Sequence, residues 1–189
     1  MDPTKVDGLA AVLADVAKSR QVIVFSHDDR FTQAARRLPS PPTILSLRRE
    51  ARSEVIIQNE VRPVERYLSD AFALLHERNL DDSIRRRVIP GILRQAIESA
   101  AWQRYATERL AAGDSLSELE ANWQQAARLR ARLALVLDPG FEAWLNRETL
   151  RRRIVGICNA GTHQPMTGDV REAYEDAKTV VSAIESKRR

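Results

Sequence analysis

The 189-residue chain predicts an α+β fold that is mostly α. A small, incomplete α/β piece over residues 1–61 is followed by a bundle of about five helices over residues 62–189. Three observations carry this. The apolar run Gln21-Val22-Ile23-Val24-Phe25 stops abruptly at Ser26-His27-Asp28-Asp29. That is the pattern of a buried parallel strand delivering polar groups to the carboxyl edge of a sheet. Two β-rich runs, Thr43 to Leu47 and Glu54 to Gln58, flank a polar stretch suited to a hairpin loop. Beyond Arg62 no convincing strand occurs, and apolar residues recur at helical spacing.

Each element has a local reason. Val6, Leu9, Leu13 and Val16 share one face of a helix that Asp2 caps, with Pro3 at its first position. The strand at 21–26 follows, then a short helix from Phe31 to Leu38, closed by Pro39-Ser40-Pro41-Pro42. One inner strand cannot make a sheet, so this piece needs neighbours from elsewhere. In the second half, Pro63 to Glu77 is amphipathic. Asp81-Asp82-Ser83 caps a long helix to Ala112, which Pro90-Gly91 must kink or begin and Gly113 ends. Ser115-Leu116-Ser117-Glu118 is a capping box for a helix carrying Leu116, Leu119, Trp123, Leu133 and Leu137. Asp138-Pro139-Gly140 is a turn, Phe141 to Ile157 is helical, and Asp169 caps the last helix. The three tryptophans are expected as core anchors.

Composition removes several classes of function. Lysine and arginine exceed aspartate and glutamate by a net +4, and the arginines lie in short runs, Arg85-Arg86-Arg87 among them. Short runs of this kind suit a solvated surface better than a dedicated basic tail. No apolar stretch suits a membrane span, and no signal-peptide core opens the chain, so a cytoplasmic protein is expected. The single Cys158 excludes an internal disulfide framework.

Met1-Asp2-Pro3 and, one helix later, Phe25-Ser26-His27-Asp28-Asp29 resemble the end of an SMC/RecF-like ATPase head of the ATP-binding-cassette type. The resemblance covers residues 1 to about 60. It implies that Asp2 is the D-loop aspartate and His27 the switch histidine, facing a γ-phosphate and attacking water across a dimer. Positioned donors do most of the work in phosphoryl transfer, and an imidazole can be one of them. The phosphate loop, the signature helix and the Walker B carboxylates of that family have no counterpart here. The chain is therefore expected to be a truncated or mis-started ATPase, or one half of a split one. ATP and Mg²⁺ would bind only with the missing half or a dimer partner, DNA would be met only through the parent, and hydrolysis by this chain alone would be negligible.

The helical half resembles HEPN bundles more weakly, through Leu93-Arg94-Gln95-Ala96-Ile97-Glu98 and Ile157-Cys158-Asn159-Ala160-Gly161-Thr162-His163. The resemblance implies a ribonuclease alternative in which Asn159 and His163 act near a helix end. Cys158 stands where those nucleases place an arginine, and Arg153 is out of helical phase to replace it. Losing one such donor costs about two to three orders of magnitude in rate. The remaining possibilities for the bundle are docking to protein or binding nucleic acid. Asp28-Asp29, Asp81-Asp82 and His76 read as a solvated loop, helix caps and a surface residue, and Cys158 as a small buried thiol.

Overall fold

The computed structural model describes residues 3–27, 29–49, 54–59, 62–160 and 165–186. Among these lie nine helices and one two-stranded antiparallel sheet, so the fold is α+β and mostly α. The chain divides into two compact units, residues 1–60 with 115–117 and residues 61–114 with 118–189.

The first unit contains α1 (Pro3–Ala17), α2 (Asp29–Arg36), β1 (Leu45–Arg49) and β2 (Val55–Asn59). Val6 and Ala10 of α1 pack with Ala34 of α2, and Phe31 and Leu38 lie half-buried around them. Arg37 ties the pair together by donating to Asp7 Oδ1 at 2.5 Å. That core is small. The hairpin pairs Leu45 with Asn59, Leu47 with Ile57 and Arg49 with Val55. The two-residue alternation of strands therefore sets Leu45, Leu47, Val55 and Ile57 on one face, and all four are exposed.

The expectation of an inner strand at 21–26 is corrected. Residues 21–27 form no strand, and the sheet holds β1 and β2 alone among the described residues. The physical reason is that a strand exists only through its ladder, and nothing described here offers this segment one. Its side chains are correspondingly open, with Ile23 at 69% and Phe25 at 82% exposure.

The second unit contains α3 (Pro63–His76), α4 (Asp82–Ala111), α5 (Leu116–Gln125) from its third residue on, α6 (Leu129–Leu137), α7 (Phe141–Asn146), α8 (Thr149–Ala160) and α9 (Val170–Ser186). The thirty-residue α4 is the central element and packs against α3, α6, α8 and α9. Ile89, Leu93 and Ile97 of α4 are fully buried with Leu129 and Leu133 of α6, Ile154 of α8, and Val180 and Ile184 of α9. Asp81 starts α4 by accepting from Ser83 N at 2.7 Å, and Asp169 starts α9 by accepting from Arg171 N at 2.7 Å. Both are the caps that the sequence indicates. Gly113, at φ +99°, takes the left-handed conformation that ends α4.

Two expected helices are each broken into two, which raises the bundle from five helices to seven. The stripe from Leu116 to Leu137 divides at 126–128, and Phe141 to Ile157 divides at 147–148. A break orphans backbone carbonyls, and arginines meet them here. Arg132 Nε donates to Ala126 O at 2.9 Å and Arg94 Nη2 to Ala127 O at 3.1 Å. At the second break Arg151 Nη1 donates to Trp144 O at 2.9 Å. Pro90 is handled the same way by backbone. It lacks the N–H that Arg86 O would accept, and Met166 N donates to that oxygen at 3.0 Å instead. So α4 runs through its proline.

Candidate functional site

His27 lies exposed at the end of the 21–27 segment, which forms no strand, just ahead of α2. The sequence expects an imidazole at the tip of a buried strand. The structure keeps the imidazole accessible but leaves the strand unformed. Asp2, the expected D-loop partner, and Asp28 lie outside the described residues. Asp29 is the first residue of α2.

The alternative site sits at the end of α8. Asn159 is half-buried in the last turn of that helix, while His163 lies outside the described residues. Ile154 and Cys158, four apart, face the core together. Burial pushes the Cys158 thiol up to about 12, against a weaker opposing pull from Arg94. The side chain in the expected arginine position is thus turned inward, neutral and inert. Arg153 faces α9, where Nε and Nη2 meet Asp176 at 2.7 and 2.9 Å and Nη1 meets Glu172 at 2.6 Å. Its hydrogen bonds to Asp176, with the two carboxylate charges, hold its pKa above the ordinary arginine value. A guanidinium clamped in this way is a helix–helix tie rather than a phosphate donor.

Most other arginines of the second unit are committed as well. Glu98 lies between Arg94, at 2.7 Å, and Arg132, at 2.5 Å, with all three side chains about four-fifths buried or more. Arg132 also covers the Trp123 ring at 5.2 Å. Trp123 in turn meets Trp102 edge-on at 5.2 Å and stacks on Tyr105 at 6.0 Å. Buried Arg151 lies 4.6 Å over the Trp144 ring and pairs with Glu148. Of the three tryptophans only Trp144 is fully inside; Trp102 and Trp123 are half-buried.

Two adjacent clefts share Gly168 and Asp169. One of about 260 Å³ is lined by Arg153, Ile157, Thr167, Glu172 and Ala173. The other, about 570 Å³, is lined by Leu75, Asp82, Arg85, Arg86, Val170 and Arg171. Sequence reasoning treats Arg85-Arg86-Arg87 only as surface charge and misses this second cleft. The available signal is Pro90, which frees the carbonyl of Arg86 and so draws in the segment after α8. Gly168, at φ +94°, shapes that segment, and its carbonyl accepts from Arg86 Nη1 at 2.6 Å.

Among the described residues no cluster of three or more His, Cys, Asp or Glu side chains is placed to hold a metal, and no helix is long and apolar enough to cross a membrane. No protein family, curated protein or solved structure matches this chain.

Proposed function

We propose that the N-terminal unit is the D-loop and switch-histidine part of an SMC/RecF-like ATPase head. Its parent assembly acts in DNA repair, recombination or phage defence in the cytoplasm, and hydrolysis requires a partner polypeptide carrying the phosphate loop. One observation carries the reading: the apolar run at 22–25 joins no strand, its residues 23–25 are open to water, and it leads directly to an exposed His27. A β-branched and aromatic run of this kind is a strand in search of neighbours. Burying a side chain of this size is worth about 1.5–3 kcal/mol, so added strands on either side would supply a strong association energy. The same step would fix His27 at a sheet edge, where ATP with Mg²⁺ is held in such heads, and Asp2 would act across the dimer. The helical unit is then a docking element. The ribonuclease alternative lacks comparable support, because Cys158 faces the core and Arg153 is bound to two carboxylates.

The test pairs the full chain with an SMC/RecF-like head that retains its phosphate loop and ends before its D-loop. ATP turnover should appear only in the mixture and vanish with His27→Ala, while amides 22–26 become protected from hydrogen exchange. Turnover by this chain alone, or a mixture indifferent to His27→Ala, would sink the reading.

A further inference from the structure

We infer that the larger cleft, between the end of α3 and the first turns of α4 and α9, binds a nucleotide unit of a single-stranded nucleic acid. The base would stack on Phe72 and the phosphate would bind Arg171. The site belongs to the helical unit and does not depend on the ATPase reading.

The aromatic part comes first. Phe72 lies one turn before the cleft-lining Leu75 on α3 and touches the buried Tyr174, one turn after the cleft-lining Arg171 on α9, which places the Phe72 ring next to the cleft. Phe72 keeps 49% of its surface in water although it meets His76 at 4.1 Å and Tyr174 at 5.9 Å between ring centroids. A half-exposed ring held by two others is a rigid platform. Every base has a π-face, so such a platform stacks bases with little regard to sequence.

The charges complete the site. Arg85 is fixed by donating to the carbonyls of Leu74, at 3.2 Å, and Glu77. Arg86 is fixed by Asp82 at 2.6 Å and by Gly168 O at 2.6 Å. Arg171 is exposed, with no side-chain hydrogen bond or ion pair among the described residues, and exposed Arg87 is only weakly attracted by Asp81. Three carboxylates stand nearby, and each is engaged: Asp81 with Ser83 N, Asp82 with Arg86, Asp169 with Arg171 N and Glu172 N. Asp169 already satisfies the first amides of α9, so a phosphate would meet guanidinium rather than the helix end. Arg171 can take the phosphate of the stacked nucleotide, and Arg87, exposed on α4 outside the cleft lining, another phosphate of the strand. A strand uses both, whereas a single nucleotide uses one.

The experiment is fluorescence anisotropy of a 5′-labelled oligo-dT of about fifteen nucleotides, a length that spans one single-strand site, titrated with the full chain at several salt concentrations. Binding should weaken steeply with salt. Phe72→Leu, which keeps an apolar contact and removes the π-face, should weaken it about tenfold. Arg171→Gln should weaken it several-fold and flatten the log–log salt slope by about 0.7. Arg171→Lys should restore most of the binding. Arg128→Gln, at an exposed arginine outside the cleft, should change nothing. Because Arg171 is exposed, its variants keep the test decisive even if Phe72→Leu fails to fold. The inference fails if no binding occurs at low salt, or if Phe72→Leu and Arg171→Gln behave like Arg128→Gln. It fails equally if dTMP displaces the strand at matched concentration, since the site would then take free nucleotide.

Discussion

The two units solve the problem of burying apolar side chains to very different degrees. Of the thirteen large apolar residues exposed among the described residues, ten lie in the first unit, although it is half the size of the second. They fall on three surfaces: Leu9, Val12 and Val16 on α1, Ile23 to Phe25 in the segment that forms no strand, and four residues on one hairpin face. The second unit leaves out only Phe72, Ile84 and Val88. Seven helices can close on one another, since helices satisfy their own backbone. A lone hairpin and a would-be strand cannot. Stability intrinsic to the chain thus resides in the bundle, and the first unit is built for company.

The sharpest contrast between them is chemical. Desolvation pushes the Cys158 thiol to about 12 from an ordinary 9.0, so its thiolate fraction near neutrality falls by about a thousandfold. A Phe25→Cys variant would place a second thiol on the open segment. Under a disulfide reagent at pH 8, one thiol per chain should react at an ordinary rate and Cys158 only on unfolding. Two fast thiols would show that the bundle core opens readily. Two slow ones would show that residue 25 is covered.

Next comes packing. Leu93→Ala removes a fully buried side chain from the centre of α4 and should cost about 3–4 kcal/mol. Phe25→Ser should cost within about 0.5 kcal/mol, as exposed sites do. The protein supplies its own probe for this, because all three tryptophans belong to the second unit. Tryptophan fluorescence therefore reports the bundle alone, while far-UV circular dichroism reports both units. In urea the dichroism should begin to fall before the fluorescence moves. Coincident transitions would mean that the two units unfold as one.

How much of this was legible in the sequence follows the same division. Caps and apolar periodicity are local, so Asp81, Asp169, the hairpin and the limits of α1, α3 and α9 could be read directly, whereas α2 lies two residues earlier than its pattern indicates. Whether a β-branched run becomes a strand depends on neighbours that no local pattern contains, and 21–26 was over-read for that reason. The breaks at 126–128 and 147–148 were hidden by a different cause. Their apolar stripe continues across the break, and the arginines that satisfy the freed carbonyls come from the far side of the break or from another helix. Arg94 reaches Ala127 from 33 residues away. The clefts were invisible because Arg85 and Arg86 resemble surface charge until their carbonyl partners are seen. His27 is exposed, but the strand tip at which the sequence places it does not form.

A smaller effect separates ion pairs that hold structure from those that decorate it. Glu98 is enclosed by two guanidiniums and sits beside the break between α5 and α6. Glu98→Gln should cost about 1–3 kcal/mol by leaving two poorly compensated cations in a mostly buried site. Glu142→Gln, whose pairing with Arg130 is exposed, should cost at most a few tenths. Urea midpoints followed by tryptophan fluorescence distinguish the two. Equal costs would mean that the Arg94–Glu98–Arg132 cluster is solvated, and that the break is held by the carbonyl contacts alone.

The smallest effect is a matter of protons. Hydrogen bonds from Ser83, with weaker attraction from Arg85 and Arg87, hold Asp81 below its ordinary value of 3.8. A depressed carboxylate contributes stability that is fully present above its unfolded pKa and is lost as pH falls through the folded one. The bundle should therefore lose this contribution only below about pH 4. Asp81→Asn keeps an acceptor for the Ser83 amide and removes the charge. Its Tm should lie slightly below that of the parent protein at pH 7, and the two should converge toward pH 2–3. Asp81→Ala removes the acceptor as well and should stay lower throughout. If the Asn variant instead matches the Ala variant at pH 7, the carboxylate acts through charge at the positive end of α4. The first turn of that helix, where Arg85, Arg86 and Arg87 crowd together, would then be held mainly by long-range attraction, and raising the salt should weaken it.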